Sequence, residues 1–191
     1  MNRPEVNEFN PYFKKYIDLV EEKNFFDAFN DDTESTFNFF KNIPVEKHNF
    51  KYAPDKWTIK DVLMHIIDTE RIFTYRALVC ARGDGKTLLQ RADENLFAAN
   101  VDVTNRSMES LLEEFLTIRK SFDFLLKNIT EEKSKFLGNN GEFKISARAL
   151  GYISLGHTKH HLKVIKERYL WYTYNLSRLL LVILPLNLKK E

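Results

Sequence analysis

Residues 58–73 read TIKDVLMHIIDTERIF, and their apolar side chains recur at intervals of three and four. This spacing is typical of an amphipathic α-helix with one buried face. Thr58 can cap the amino end of such a helix, and Asp61, three residues later, approximates a capping box. We therefore predict a helix from Thr58 to about Ala81, which Gly83 ends.

Three other long segments have the same helical spacing. They run from about Phe25 to Asn42, from Ser107 to Lys127 and from Ser146 to about Tyr169. An aromatic-rich lead-in before them predicts a short helix from about Pro11. No stretch of useful length alternates with the period of a strand, and Gly138 to Gly141 predicts a turn.

A long polar connection, residues 83–104, separates the second and third of the long helices. Short links favour antiparallel neighbours, whereas a long link permits a parallel pair. We predict an all-α protein, a four-helix bundle with a long crossover between its second and third main helices. The bundle is expected over residues 1–170.

Composition excludes several classes of protein. The 191 residues include 29 basic and 27 acidic side chains, well mixed, so no basic stripe indicates a nucleic-acid partner. The amino terminus lacks the apolar core of a signal peptide, which predicts a cytoplasmic protein. Cys80, the single cysteine, lies in an apolar run, and we interpret it as a small buried hydrophobe rather than a nucleophile.

Residues 171–191 form an apolar C-terminal tail of unknown role. Its most apolar part, Leu176 to Leu188, is shorter than the roughly 20 residues that a membrane-spanning helix needs. We therefore expect it to dock on the bundle or on a partner rather than to anchor the chain in a membrane.

Histidines are the most informative polar residues. In the segment GHTKHHL, residues 156–162, His157 and His161 are four apart and share one helical face. That spacing alone is weak evidence for a metal, and His65 on an apolar face would alone be an ordinary core histidine. Together the three predict a metal site between facing helices. His160 is either a supporting group or a weaker alternative ligand, and His48 lies in a polar loop.

Three imidazoles suit one divalent metal, with Zn or Ni expected first and Fe, Mn or Cu as alternatives. Three protein ligands leave a coordination position open, which is typical of reactive rather than structural sites. A water or a thiol bound at that position loses its proton readily.

Asp68 is the predicted catalytic residue. It lies three residues after His65, on the same helical face, where its carboxylate could orient an imidazole or accept a proton from metal-bound water. The alternative is an ordinary carboxylate on the helix surface. Glu70, Arg71 and Arg76 are interpreted mainly as interhelical ion pairs, with Arg76 the one expected to reach the site.

Residues 52–71, YAPDKWTIKDVLMHIIDTER, together with the GHTKHHL segment, resemble the two signatures of the DinB family. The resemblance covers about residues 10–170. It implies an up-down-down-up bundle and the metal ligands His65, His157 and His161. It also implies metal-dependent hydrolase activity or the use of low-molecular-weight thiols such as bacillithiol and mycothiol, and a homodimer. The crossover lacks the family's Gly-Phe-Asp pattern, and the apolar tail is unlike the family's usual ending.

The sequence therefore favours a metal-dependent enzyme, a hydrolase or a thiol S-transferase, acting on a small-molecule substrate. We expect a homodimer that buries lead-in aromatics and the apolar tail, and no membrane partner. One alternative is a non-enzymatic metal-binding or stress-linked interaction module. The other is a purely structural bundle whose histidines bind no metal.

Overall fold

Seven α-helices and one β-hairpin lie within residues 1–22 and 24–170, the part of the chain described by the computed structural model. The helices are α1 (Lys14–Ile17), α2 (Phe25–Lys41), α3 (Ile59–Ala81), α4 (Glu94–Asn100), α5 (Met108–Lys127), α6 (Glu131–Ser134) and α7 (Ala147–Val164). The strands are β1 (Leu137–Asn140) and β2 (Phe143–Ser146). Single 3₁₀ turns cover Val6–Glu8, Pro11–Phe13 and Val45–Lys47, and a π-helical turn over Ile165–Tyr169 extends α7. The predicted tail, residues 171–191, lies outside the described residues.

Side-chain caps begin the long helices, as the sequence predicted for Thr58. Thr58 Oγ1 accepts a hydrogen bond from the backbone N–H of Asp61 at 3.0 Å, and Asp61 Oδ2 accepts one from the Thr58 N–H at 2.8 Å. Ser107 caps α5 and Ser146 caps α7 through the hydroxyl oxygen alone, which accepts from the N–H of Ser110 and of Ala149. These bonds satisfy amide groups that the first helical turn leaves without partners.

The four long helices pack as a bundle, which confirms the predicted fold class. α3 packs against α5 and α7, and α2 packs against the same two helices. Near the start of α3, Lys60 Nζ donates to the Thr104 carbonyl, just before α5, at 2.7 Å. Farther along both helices, Arg71 pairs with Glu114. α3 and α5 therefore run parallel, while the complete up-down-down-up order stays a prediction.

The crossover carries structure that the sequence analysis missed. Residues 83–104 contain α4, and the N–H of Leu89 donates to the carbonyl of Asn139 in β1 at 2.8 Å. The predicted turn is part of the antiparallel β1–β2 hairpin, with Gly141 at a positive φ of 77°. These two strands were not predicted from the sequence. Strands of four residues are too short for a period of two to stand out.

The lead-in packs on the bundle of its own chain. Phe9 and Tyr16 are buried, and α1 lies against α7. The expectation that these aromatics are free for a partner subunit is therefore wrong for Phe9 and Tyr16, whereas Tyr12 is exposed. Among the helices that the structure describes, none combines the length and the apolar character needed to cross a membrane.

Candidate metal centre

Three histidine side chains meet between α3 and α7. His157 Nε2 lies 3.1 Å from His65 Nε2 and 3.0 Å from His161 Nε2. One ligand nitrogen from each ring lies within 4.8 Å of the other two. Metal–nitrogen bonds of about 2.0–2.1 Å place neighbouring ligand nitrogens roughly 3 Å apart, so the cluster has the spacing of a single-metal site.

Burial keeps the three imidazoles neutral. It lowers the pKa of His65 to about 4 and that of His161 to about 3. The pKa of His157 falls well below its ordinary value, first through burial and then through the two neighbouring rings. Neutral imidazole is the form that binds a metal. The donor set therefore fits a divalent metal that accepts nitrogen ligands.

Aromatic rings hold the histidines in place. The Trp57 ring lies 4.8 Å from the His65 ring, and the edge of Tyr16 meets His157 at 5.5 Å between centroids. His160 stands beside the cluster, with its ring 5.1 Å from that of His161 and 5.5 Å from that of Tyr16. His160 is not among the three clustered ligands.

A cavity of about 910 Å³ opens beside the histidines, and all three line it. Asp68 and Arg76 line the same cavity. The hairpin also lines the cavity, through Asn140 and Phe143, and so does α4, through Phe97. These walls were not foreseen, although Asp93 before α4 carries the same cap signal as the longer helices.

Asp68 lies on the cavity wall, as the spacing from His65 predicted. Its Oδ1 accepts a hydrogen bond from Arg71 Nη1 at 2.9 Å. Burial raises the pKa of Asp68, and the neighbouring Arg71 guanidinium partly opposes that rise. Arg71 also pairs with Glu114 on α5, so the interhelical ion pair predicted for Arg71 is confirmed. A catalytic role for Asp68 stays a prediction.

Glu70 points away from the cavity, into a buried polar network. Its Oε1 lies 2.8 Å from Arg119 Nε, and its Oε2 accepts a hydrogen bond from Ser154 at 3.0 Å. Arg119 also donates to Asp32 at 2.9 Å and to Thr158 at 3.0 Å. The network thus joins α2, α3, α5 and α7 directly beside His157, and only the role of Glu70 in it was predicted.

Arg76 departs from its predicted role. It is buried and donates to the backbone carbonyl of Gln90. No ion pair to Arg76 is found among residues 1–22 and 24–170, so the ion-pair interpretation was wrong there. The expectation that Arg76 reaches the site agrees with its place on the cavity wall.

Cys80 and His48 both lie outside the three-histidine cluster. The Cys80 thiol donates to the Ile145 carbonyl at 3.4 Å, and burial raises its pKa to about 11. A thiol in that state is a poor nucleophile, which supports its interpretation as a small buried hydrophobe. His48 Nε2 lies 3.0 Å from the carbonyl oxygen of Ile43.

The chain is similar in sequence to one protein family and in structure to a solved protein. Residues 28–165 match the sequence model of the DinB superfamily. Among solved structures, the chain is similar to YfiT from Bacillus subtilis, described as a probable metal-dependent hydrolase with an unusual four-helix bundle topology. The two share 14% sequence identity at a TM-score of 0.66, over 86% of this chain and 94% of YfiT. That likeness shows a shared fold. No curated protein matched the chain.

Proposed function

The chain belongs to the DinB superfamily, and on that premise we propose that it is a metal-dependent enzyme acting on a small-molecule substrate. One observation carries the proposal: three neutral imidazoles converge on the wall of a cavity of about 910 Å³. A structural metal site is closed, whereas a catalytic site keeps an open position and space for a substrate. The cavity has the volume of a typical small-molecule site.

His65, His157 and His161 are the proposed ligands of one divalent metal, with Zn or Ni expected first. When bound, the metal would supply Lewis-acid chemistry that lowers the pKa of a water or thiol at its open position. Trp57 packs against the His65 ring and Tyr16 against the His157 ring, which restricts the rotation of both imidazoles. Both contacts favour a preorganised site.

Asp68 is the proposed proton acceptor. Its raised pKa brings the carboxyl closer to the range in which a general base works at neutral pH. Arg71 holds Oδ1, which leaves Oδ2 as the oxygen that we expect to take the proton. The nucleophile should come from solution, because the buried Cys80 stays protonated.

Two reactions fit this arrangement, hydrolysis by water and transfer of a low-molecular-weight thiol. The description of YfiT favours hydrolysis by analogy. The resemblance of the two histidine signatures to those of the DinB family favours the thiol branch as well. The cytoplasmic location expected from the sequence is part of this proposal. The non-enzymatic alternative is disfavoured, because a metal-binding module has no need of a substrate-sized cavity beside its metal.

The test compares two substrate panels on protein loaded with Zn or Ni. One panel contains simple esters and amides, and the other contains bacillithiol, glutathione or coenzyme A with electrophilic acceptors. Turnover should require the metal, stop with a chelator and be lost in His161→Ala. Cleavage without a thiol would assign the hydrolase branch, and thiol-dependent turnover the transferase branch. Turnover that persists in metal-free protein would refute the mechanism, and inactivity in both panels would favour the binding module.

A further inference from the structure

Arg76 shares a helix face and a cavity with the first of the proposed metal ligands. It lies eleven residues after His65 on α3, which is about three helical turns and roughly 16 Å of rise. Eleven residues at about 100° each return to nearly the same face of the helix. Both side chains line the cavity of about 910 Å³. A ligand that contacts both ends must therefore be extended along α3.

The positive charge of Arg76 has no counter-charge in the described part of the chain. Arg76 is only 7% exposed, and the backbone carbonyl of Gln90 accepts the one hydrogen bond that its side chain donates in this part of the chain. Burial lowers its pKa, and no carboxylate acts to raise it again. A buried cation without an anionic partner is costly, so such a residue is normally paired.

Neighbouring charges make the contrast clear. Arg71, also on α3, is paired with two carboxylates, and Arg119 in the core is paired with two more. Asp68 lines the cavity but is bound by Arg71, and Asp61 is occupied in capping α3. Glu94, the third carboxylate on the cavity wall, is exposed on α4 and forms no ion pair with Arg76 among the described residues. The remaining N–H groups of Arg76 are available to a ligand in the cavity.

We infer that the substrate carries an oxyanion, a carboxylate or a phosphate, which Arg76 binds at the end of the cavity away from the three histidines. A guanidinium presents a planar fork of N–H donors that matches either anion. The inference deepens the proposed function and rests on it: the reacting group meets the metal while Arg76 holds the anionic end. Arg76 is thus a binding residue that sets both the charge and the length of the substrate.

The probes are mercapto-carboxylic acids of three, six and eleven carbons, each matched by the mercapto-alcohol of the same length. Protein loaded with Co(II) reports thiol binding through the thiolate-to-cobalt absorption band, without any turnover. For the length that spans the cavity, the acid should bind roughly 10–100-fold more tightly than the alcohol, the range for hydrogen bonds to a charged group. A mercaptoalkyl phosphate of that length distinguishes a phosphate site from a carboxylate site.

Variants assign the preference to Arg76. Arg76→Gln should remove the preference for the acid and leave the affinity for the alcohol unchanged. Arg76→Lys keeps the charge and should retain part of the preference. Arg82→Gln is the matched control, because Arg82 is exposed at the carboxyl end of the same helix and does not line the cavity. Equal affinities for acid and alcohol at every length, or an unchanged preference in Arg76→Gln, would overturn the inference.

Failure of the proposed function would show in the binding of the metal and the thiol, not in the preference for the acid. If Co(II) does not bind, or if no thiolate band forms, the metal chemistry is in error. Calorimetric titration of the metal-free protein with the same acids then still tests Arg76. Binding that is equal in wild type and Arg76→Gln would overturn the inference in that case, and binding lost only in Arg76→Gln would support it.

Discussion

Burial decides the chemistry of the individual site residues. The same desolvation that lowers the pKa of His65 to about 4 raises the pKa of Asp68, because it disfavours whichever form is charged. A neutral imidazole can bind a metal, and a carboxyl with a raised pKa is a better proton acceptor near neutrality.

Replacing any one of His65, His157 and His161 with Ala should reduce the metal content well below one ion per chain. Each variant leaves two imidazoles where the cluster has three, and among the described residues no carboxylate belongs to that cluster. Plasma emission spectrometry of purified protein measures the stoichiometry. His160→Ala is the matched control, since that ring touches His161 but stands outside the cluster. Full stoichiometry in all three variants would contradict the assignment.

Asp68→Asn should lower activity or metal affinity by roughly 10–100-fold if the carboxylate orients a ligand or accepts the proton. Only the ionised carboxylate accepts a proton, so the wild-type rate should rise with pH through the raised pKa of Asp68. That limb of the pH–rate profile should disappear in the variant.

Asp123→Asn is the control for this measurement, because Asp123 is ion-paired to Lys127 on α5 and does not line the cavity. An Asp68→Asn variant with unchanged rate, affinity and pH profile would remove Asp68 from the site.

Contacts between helices set the shape of the site. Gly156, beside the ligand His157, lets the backbone of α1 approach α7 closely. A Cβ added at Gly156 would lie 1.9 Å from the carbonyl oxygen of Tyr16. The clash is with backbone, so no rotation of a side chain can relieve it, and α1 carries the Tyr16 ring that covers His157.

Gly156→Ala should therefore destabilise the protein by about 1–3 kcal/mol, the usual cost of overpacking. Ala is otherwise the better helix former by about 1 kcal/mol, so the sign of the change separates the two effects. Urea unfolding measures the change in the free energy of unfolding. Ala149→Gly, at a buried position on the same helix, is the comparison, because it loses helix propensity and packing without a clash. A Gly156→Ala variant more stable than wild type would show that α1 does not hold this position.

Arg119 acts at the scale of the whole molecule, because it joins the four long helices through Asp32, Glu70 and Thr158. Removing one partner of a buried ion pair leaves an uncompensated charge, so Arg119→Met should cost about 3–5 kcal/mol near neutral pH. Lys120→Met, exposed on the same helix, is the control. A loss no larger than that of the control would contradict the prediction.

The loss should also depend on pH. Burial raises the pKa of both Asp32 and Glu70, and Arg119 opposes the rise. Without Arg119 both carboxyls should bind protons more readily in the folded state, and protonation removes the uncompensated charge. A carboxyl with a raised folded pKa supports stability below its unfolded pKa and loses that support as pH rises. The destabilisation should therefore be smaller near pH 5 than near pH 8 in urea unfolding.

Homodimerisation is the second prediction at this scale. Apolar side chains that remain exposed, including Tyr75 and Leu78, border a groove between α3 and α5. Sedimentation at micromolar concentration should show a species of twice the 22.6 kDa chain mass, and Tyr75→Glu should shift it toward the monomer. Val45→Glu, exposed in the turn after α2, is the control. A wild-type species of only the single-chain mass would contradict the dimer.

Interactions between residues a few positions apart in the sequence allowed the helices and the histidine pair to be predicted. Helical spacing predicted the four long helices, and the cap at Thr58 predicted the start of α3 to the residue, because a cap bonds an amide only three positions away. The pair His157 and His161 follows from one turn of helix. His65 on a second core-facing helix completed the candidate site.

Contacts between distant residues needed the tertiary structure. Arg119 bonds Asp32 across 87 positions, and the crossover pairs with the hairpin across about 50, so neither partner is marked in the local pattern. The cavity wall from α4 and the hairpin exists only once these segments fold over α3. The missing counter-charge of Arg76 is likewise a property of everything packed around it. Local hydrogen bonds and helix periodicity thus determined the elements and the histidine pair, whereas long-range packing decided the cavity, its walls and the charge left inside it.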